Sequence, residues 1–361
     1  MTAPKRPRTR GRLVSRTGRP WQRKLAVALL LVVVVAASAL IVKVWWTSPG
    51  PSRVAVVVDI PRGSAPASIA RQLAAAGVLT HPRWFGLITR LQGASPLLQA
   101  GEYAFPAAAS PRTVLEWLVN GRVTRYSVTF IEGHTTAEAW ARLRAHPMIK
   151  VTPGLTVHGL MQELGDAATP AEGAFFPDTY DFHRGTRDVE VMRQARERLA
   201  RELAAVWGQR APGLPLRDSQ EALILASLVE KETGAAAERP LIARVFINRL
   251  SSHMRLQTDP SVIYGLGSRY DGNLRKADLR RDGPYNTYRR AGLPPTPIAM
   301  PGRASLHAAT HPADTTALYF VATGNGDGRH VFSTTLQAHN AAVRALVARS
   351  RAAATAPQQR H

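Results

Sequence analysis

The sequence predicts an α+β protein behind a single N-terminal transmembrane helix. Three observations carry this: the uncharged run Leu25 to Val42, short β-branched or alternating segments that read as strands, and apolar residues at helical spacing between them. At 361 residues there is room for a small and a larger domain, each with its own core.

Residues 1–24 hold nine basic side chains and no acid, part of a net charge of +22. Without apolar periodicity, this reads as a disordered cytoplasmic arm. The run that follows, extended by Val44, Trp45 and Trp46, spans 25–46 and is long enough to cross a hydrocarbon layer of about 30 Å. Two tryptophans suit the far headgroup interface, and the basic arm keeps the N-terminus in the cytoplasm. Ala37-Ser38-Ala39 fits a signal-peptide cleavage site, but the apolar run continues past it, which favours an uncleaved inner-membrane anchor. With no cysteine, the chain has no thiol chemistry, Cys-zinc site or iron–sulfur cluster.

After the breaker-rich linker Thr47 to Ser52, residues 54–123 read as a small α+β module. Val54 to Ile60 is a strand, a helix runs from Ser64 to Gly77, and another from Pro82 to Gly93. Gly101 to Phe105 is a strand, and Ser110 with Pro111 opens a third helix. Residues 124–345 form the larger domain: a strand at Tyr126 to Ile131, a helix over Val189 to Val206, and an apolar helix launched by Asp218 with Glu221 three positions on. A further helix starts near Pro240, residues 257–302 are irregular, Ala317 to Ala322 pairs with His330 to Ser333, and a helix begins at Leu336. Residues 346–361 form a disordered basic tail.

The helix ILASLVEKETG, Ile224 to Gly234, ends on two carboxylates at the negative end of its dipole. That position and apolar neighbours both favour the protonated acid, a form able to donate a proton near neutral pH. Periodicity does not choose between Glu230 and Glu232, because nearly every position from Ala222 to Val229 is apolar. Three polar, aromatic loops accompany the helix: Glu172 to Tyr180, Gln257 to Pro260 with Tyr264, and Pro284 to Tyr288. Loops of this composition are more often site walls than connectors, and tyrosines and amides suit sugars.

The segments AEGAFFPDTY, LASLVEKET, VFINRL, LQTDPSVIYG, PYNTY, GLPPTPI and YFVATGNGDGRHVFSTTLQAHN, in that order, resemble the endolytic murein transglycosylases, the YceG-like family. The resemblance spans about residues 50–345, with Thr296 standing where the family commonly has glycine. It implies an inner-membrane lyase that cuts peptidoglycan strands internally, a LysM-like module at 54–123, and Glu230 as the catalytic acid/base. By position in the matched motifs, Glu172, Asp178, Tyr180, Gln257, Asp259, Tyr285, Asn286 and Tyr288 line the cleft. The reaction needs no metal and no cofactor. Partners are the glycan strands, the membrane, and cell-wall synthases or division proteins.

The competing readings are a conventional peptidoglycan hydrolase, with Asp178 or Asp259 positioning water, and a non-catalytic envelope scaffold. His307 and His311 stand four apart, but there is no HExxH pattern or cysteine set, and Pro312 follows directly. A pyridoxal-phosphate role for Lys231 lacks a phosphate-cradling loop. Nucleic-acid binding is not expected, because the excess charge sits in the arm and the tail.

Overall fold

The protein is described by a computed structural model covering residues 20–232 and 234–355. Most of the basic arm and the last six residues lie outside the described part. The chain divides into two units, Met1–Thr124 and Arg125–His361.

In the first unit, helix α1 runs Pro20–Thr47, so Trp21 to Lys24, expected in the arm, are helical. Proline is tolerated at the first position because its missing N–H would lack a helical partner anyway. The apolar side chains of α1 are exposed through most of its length, the pattern of a helix covered by something other than its own domain. Strand β1 (Val56–Ile60), α2 (Pro66–Ala75), α3 (Pro82–Leu91), β2 (Gly101–Phe105) and α4 (Pro111–Val119) follow. The strands pair antiparallel, from Val56 opposite Phe105 to Ile60 opposite Gly101. Ile60, Leu73, Phe85, Tyr103, Phe105 and Leu118 fill the core beneath them. Ser110 caps α4 by accepting from the Thr113 N–H at 3.2 Å. Trp45 and Trp46 at the end of α1 pack against this core, and the Trp45 indole N–H donates to the Thr80 hydroxyl at 3.1 Å.

The second unit opens with β3 (Tyr126–Thr129), α5 (Thr136–Arg144), α6 (Val157–Glu163), β4 (Thr179–Phe182) and α7 (Asp188–Gly208). Strand β4 begins at the end of the expected loop Glu172 to Tyr180 and pairs antiparallel with β3, Tyr126 opposite Phe182. Phe130, Trp140, Leu143, Phe175 and Met192 form the core of this half. The second half contains α8 (Ser219–Glu232), α9 (Arg239–Ser251), α10 (Asp259–Leu266), α11 (Lys276–Arg280), α12 (Arg303–Thr310), the hairpin β5 (Tyr319–Ala322) and β6 (His330–Ser333), and α13 (Leu336–Thr355). Helix α8 is buried at every position from Ala222 to Val229 and packs against α9 and α12 in one core. That accounts for its lack of an amphipathic face: it has protein on all sides.

Two expectations are corrected. Residues 257–302 contain two helices, and the tail expected to be disordered from 346 remains helical to Thr355. Alanine, the strongest helix former, supplies much of that last stretch.

Candidate active site

Helix α8 starts at Asp218, whose side chain accepts from the Glu221 N–H at 2.9 Å, while the Glu221 carboxylate accepts from the Arg217 N–H at 2.7 Å. Near its other end, the buried Ser227 hydroxyl donates to the Ile224 carbonyl and accepts from the Ile298 N–H at 3.1 Å. The 297–302 segment is thereby fastened along α8. Residues two apart on a helix point about 200° away from each other, so Glu230 and Glu232 face different surroundings.

Glu230 faces the fastened segment and α9. Its side chain is 6% exposed; Oε1 accepts from Arg239 at 3.3 Å and Oε2 from the Gly302 N–H at 2.9 Å. Glu132 stands beside this pair, its carboxylate in the space a Cβ at Gly302 would need. Partial burial pushes the Glu132 carboxyl up, Glu230 adds to the rise and Arg239 opposes it. Next to it Gly133 and His134 exchange backbone hydrogen bonds with Met300, and Lys231 donates to the Gly133 carbonyl. Each oxygen of Glu230 thus accepts from one donor inside the protein.

Glu232 faces a groove of about 500 Å³, lined also by Arg249, Gln257, Asp259, Tyr288, Tyr319 and His339. Burial pushes its carboxyl up to about 7, and the charge of Asp259 adds to the rise; Thr258, His330 and Arg249 oppose it. An acid of that strength can both give and take a proton near neutrality.

The groove wall is built by lacing two loops together. Gln257 adopts a left-handed backbone, φ +50°, and donates its N–H to the Thr287 carbonyl. The Thr258 N–H donates to the buried Thr287 hydroxyl at 3.0 Å, which also meets Ser261 at 2.9 Å. This lacing brings the Tyr288 hydroxyl onto Asp259 at 2.6 Å. Burial and the Asp259 hydrogen bond both raise the Tyr288 phenol. Arg249 is 7% exposed and held by the carbonyls of Leu318 and Leu256, at 2.7 Å each, with its guanidinium over the Tyr319 ring.

Glu172 borders a second cavity of about 510 Å³, with Tyr264, Tyr285, Thr296, His158 and Gln162 among its walls. Its carboxylate accepts from the Thr136 N–H at 2.9 Å, the Gly173 N–H at 3.2 Å and the Tyr264 hydroxyl at 3.3 Å; burial nevertheless pushes it up. Gly173 has φ +71° and leaves no room for a Cβ beside Pro297, which seats this turn on the 297–302 segment. The Tyr285 hydroxyl pairs with Thr296 at 2.8 Å, and its ring meets Tyr264 edge-on at 4.9 Å. Thr296 thus supplies a partner for Tyr285.

The structure brings Gln257, Asp259 and Tyr288 together around Glu232, and Glu172 with Tyr285 around the second cavity. Three expected cleft residues stand elsewhere. Tyr180 is buried in the first-half core against Phe130 and donates to the Phe176 carbonyl at 2.7 Å. Asp178 is exposed beside Arg198 at 3.9 Å. Asn286 is 5% exposed; its amide donates to the carbonyls of Asp278, Leu279 and Arg281, which makes it a brace for the loop. Sequence reasoning missed Arg249, Arg239 and Glu132. A buried arginine inside the apolar stretch of VFINRL is the one signal that pointed to Arg249. His307 and His311 stack at 4.3 Å, and the His311 ring nitrogens face Thr310 and the Gln209 carbonyl.

A profile of the YceG-like family matches residues 58–345. A Bacillus subtilis protein named endolytic murein transglycosylase is 32% identical over 309 residues, 81% of this chain and 84% of its own length. A Streptococcus pneumoniae protein of the same name is 28% identical over 307 residues, 75% of this chain and 55% of the relative. A crystal structure of a YceG-like protein from Listeria monocytogenes superposes with a TM-score of 0.49 at 28% identity, over 80% of this chain and 99% of that one. With four-fifths of its length matched by the profile, this chain belongs to the YceG-like family.

Proposed function

We propose that the protein is an endolytic murein transglycosylase that cuts within peptidoglycan glycan strands, and that Glu232 is its acid/base. The name carried by the Bacillus and Streptococcus relatives supports the activity. The observation that carries the residue assignment is the placement of Glu232, with its carboxyl raised to about 7, in the groove that holds Gln257, Asp259 and Tyr288. Glu230, the residue implied by the family resemblance, is the alternative acid; its oxygens accept from Arg239 and the Gly302 N–H.

In the reaction, protonated Glu232 gives its proton to the oxygen joining N-acetylmuramic acid to N-acetylglucosamine as the bond from that oxygen to C1 breaks. The muramyl C6 hydroxyl oxygen then bonds to the same C1 and passes its proton to the Glu232 carboxylate. The acid is regenerated and a 1,6-anhydro end is released. Because the sugar supplies its own nucleophile, no second enzyme carboxylate is needed. Tyr288, Gln257 and Asp259 offer hydrogen-bonding partners to sugar hydroxyls. Arg249 supplies positive charge at the groove floor. Glu172 and Tyr285 border a second cavity into which the strand extends.

Helix α1 anchors the chain in the inner membrane with its N-terminus in the cytoplasm, as the basic arm dictates. The small unit is the LysM-like module, and the activity terminates or trims nascent strands beside synthases. A hydrolase remains the second reading, because Asp259 shares the groove with Glu232 and could position water. Digestion of purified sacculi by the wild type, Glu232→Gln and Glu230→Gln, with mass analysis of the new ends, tests both points. Anhydro ends, one water lighter than reducing ends, identify the transglycosylase. Full activity in Glu232→Gln rejects Glu232 as the acid.

A further inference from the structure

Helix α3 buries only part of its apolar surface. Phe85 and Thr89 point into the module core, whereas Trp84 is 50% exposed, Leu87 45% and Leu91 77%. At 100° per residue, Trp84, Leu87 and Leu91 form one stripe, and Arg83 and Arg90 run along its flank. Leu97, just beyond the helix, is 54% exposed. A helix of this kind, apolar on one side with arginines at the border, is built to lie in a membrane interface.

The neighbouring α1 indicates what covers the stripe. Its last turns touch the start of α3: Trp45 hydrogen-bonds Thr80 and its ring lies tilted against His81 at 5.7 Å, and Trp46 lies 5.9 Å from Phe85. Trp84 and His81 also share a cavity of about 280 Å³ with Ser38, Ile41, Val42 and Trp45 of α1. Ser38 stands about 10 Å along the helix axis before Trp45, inside the uncharged run. Whatever medium surrounds Ile41 and Val42 therefore also reaches Trp84.

We propose that α3 lies on the bilayer that α1 crosses, with Trp84, Leu87 and Leu91 among the lipid headgroups and Arg83 and Arg90 against anionic lipid phosphates. This rests on reading α1 as an anchor. The module is thereby held flat on the membrane by two attachments, a spanning helix and a surface helix. The linker after α1 then acts as a fixed joint, and the small unit cannot swing freely above the bilayer.

The native chain has no cysteine, so single introduced cysteines report without background. Full-length protein carrying Leu87→Cys, Leu91→Cys, Val35→Cys in α1 or Arg62→Cys in the exposed turn after β1 is spin-labelled. It is then reconstituted in vesicles of phosphatidylcholine and phosphatidylglycerol, and collisions with oxygen and with a soluble nickel chelate are measured. Labels at Leu87 and Leu91 are expected to show an oxygen-to-nickel ratio several-fold above that at Arg62 and below that at Val35. A ratio equal to that at Arg62 overturns the proposal while Val35 still reports lipid. Shielding of both α3 labels from oxygen and nickel alike means that protein covers the stripe, which also overturns it. An aqueous Val35 label removes the anchor itself, and the proposal with it. An equal contrast in phosphatidylcholine alone overturns the part assigned to Arg83 and Arg90.

Discussion

The two carboxylates that close α8 stand two residues apart and live in opposite chemical settings. Glu230 is enclosed, with an arginine on one oxygen and a backbone N–H on the other. Glu232 borders a groove with a second acid, Asp259, in its field, and burial raises its carboxyl to about 7. Local sequence treats them as equivalent; the difference comes from what tertiary structure brings to each side of the helix. One side receives the start of α9 and the 297–302 segment, the other Arg249 near the end of α9 and the 257–259 and 287–288 loops. An enclosed, paired carboxylate holds structure, and a raised one at a groove can move a proton.

The largest effect expected to separate them is on catalysis. Glu232→Gln keeps the side-chain volume but cannot exchange a proton, so release of anhydro ends from sacculi should fall by about 10²- to 10⁴-fold, the usual weight of general acid–base catalysis. Circular dichroism should show an intact fold. If Glu230→Gln loses as much activity with its stability unchanged, the assignment of the two carboxylates is reversed.

Next in size is the stability of the enclosed side. Glu230→Ala leaves Arg239, 14% exposed, without its carboxylate and frees the Gly302 N–H. Removing one partner of a buried pair costs about 3–5 kcal/mol, so chemical denaturation should register a loss toward the lower end of that range. Arg239→Ala should destabilise similarly, and the double variant should lose less than the sum. Additive losses would mean that the two side chains do not act as a pair.

The third effect has opposite sign. The Glu232 carboxyl rises from an ordinary 4.5 to about 7 on folding. Between those values the folded chain keeps a proton that the unfolded chain has released. This contribution is therefore fully present below the lower value and lost as pH rises through the upper one. Glu232→Gln should accordingly stabilise the protein above pH 7 by something on the order of 3 kcal/mol or less, with the gain gone near pH 4. Thermal unfolding at several pH values would show it. With Glu232 in the proposed role, the catalytic rate should decline above about pH 7 as it loses the proton it would donate. A Glu230 variant that removed this limb of the profile would break the comparison.

The same contrast separates what was legible in the sequence from what was not. Local signals placed elements well: Ser110 with Pro111 opens α4, Asp218 caps α8, and the Gly324 to Gly328 turn joins two paired strands. Helix α5 escaped notice although Thr135 and Glu138 form a capping box, because its apolar side chains are few and it is only nine residues long. Side-chain roles were harder. Tyr180 and Asn286 sit in loops whose composition suits a site wall, yet one fills a core and the other braces three carbonyls. Aromatic and amide groups serve both purposes, and composition does not separate them. The choice between Glu230 and Glu232 was illegible for a related reason. With α8 buried all round, no apolar face indicates which side opens on a groove, and Arg239, Arg249 and Asp259 act on the carboxylates through contacts made only in the fold.

The smallest expected effect tests whether the groove side works as a unit. Tyr288→Phe removes one hydroxyl, the donor at 2.6 Å to Asp259, and little volume. Losing a hydrogen bond to a charged acceptor costs about 1.5–3 kcal/mol when the acceptor is left dry; Asp259 borders a solvent-filled groove, so about 1 kcal/mol is expected here. Asp259 and Tyr288 line the same groove as Glu232, so sugar binding there should be affected too. A modest rise in KM for glycan should accompany the loss of stability. A Tyr288→Phe enzyme with unaltered stability and unaltered KM would mean that the hydroxyl on Asp259 contributes nothing to the groove.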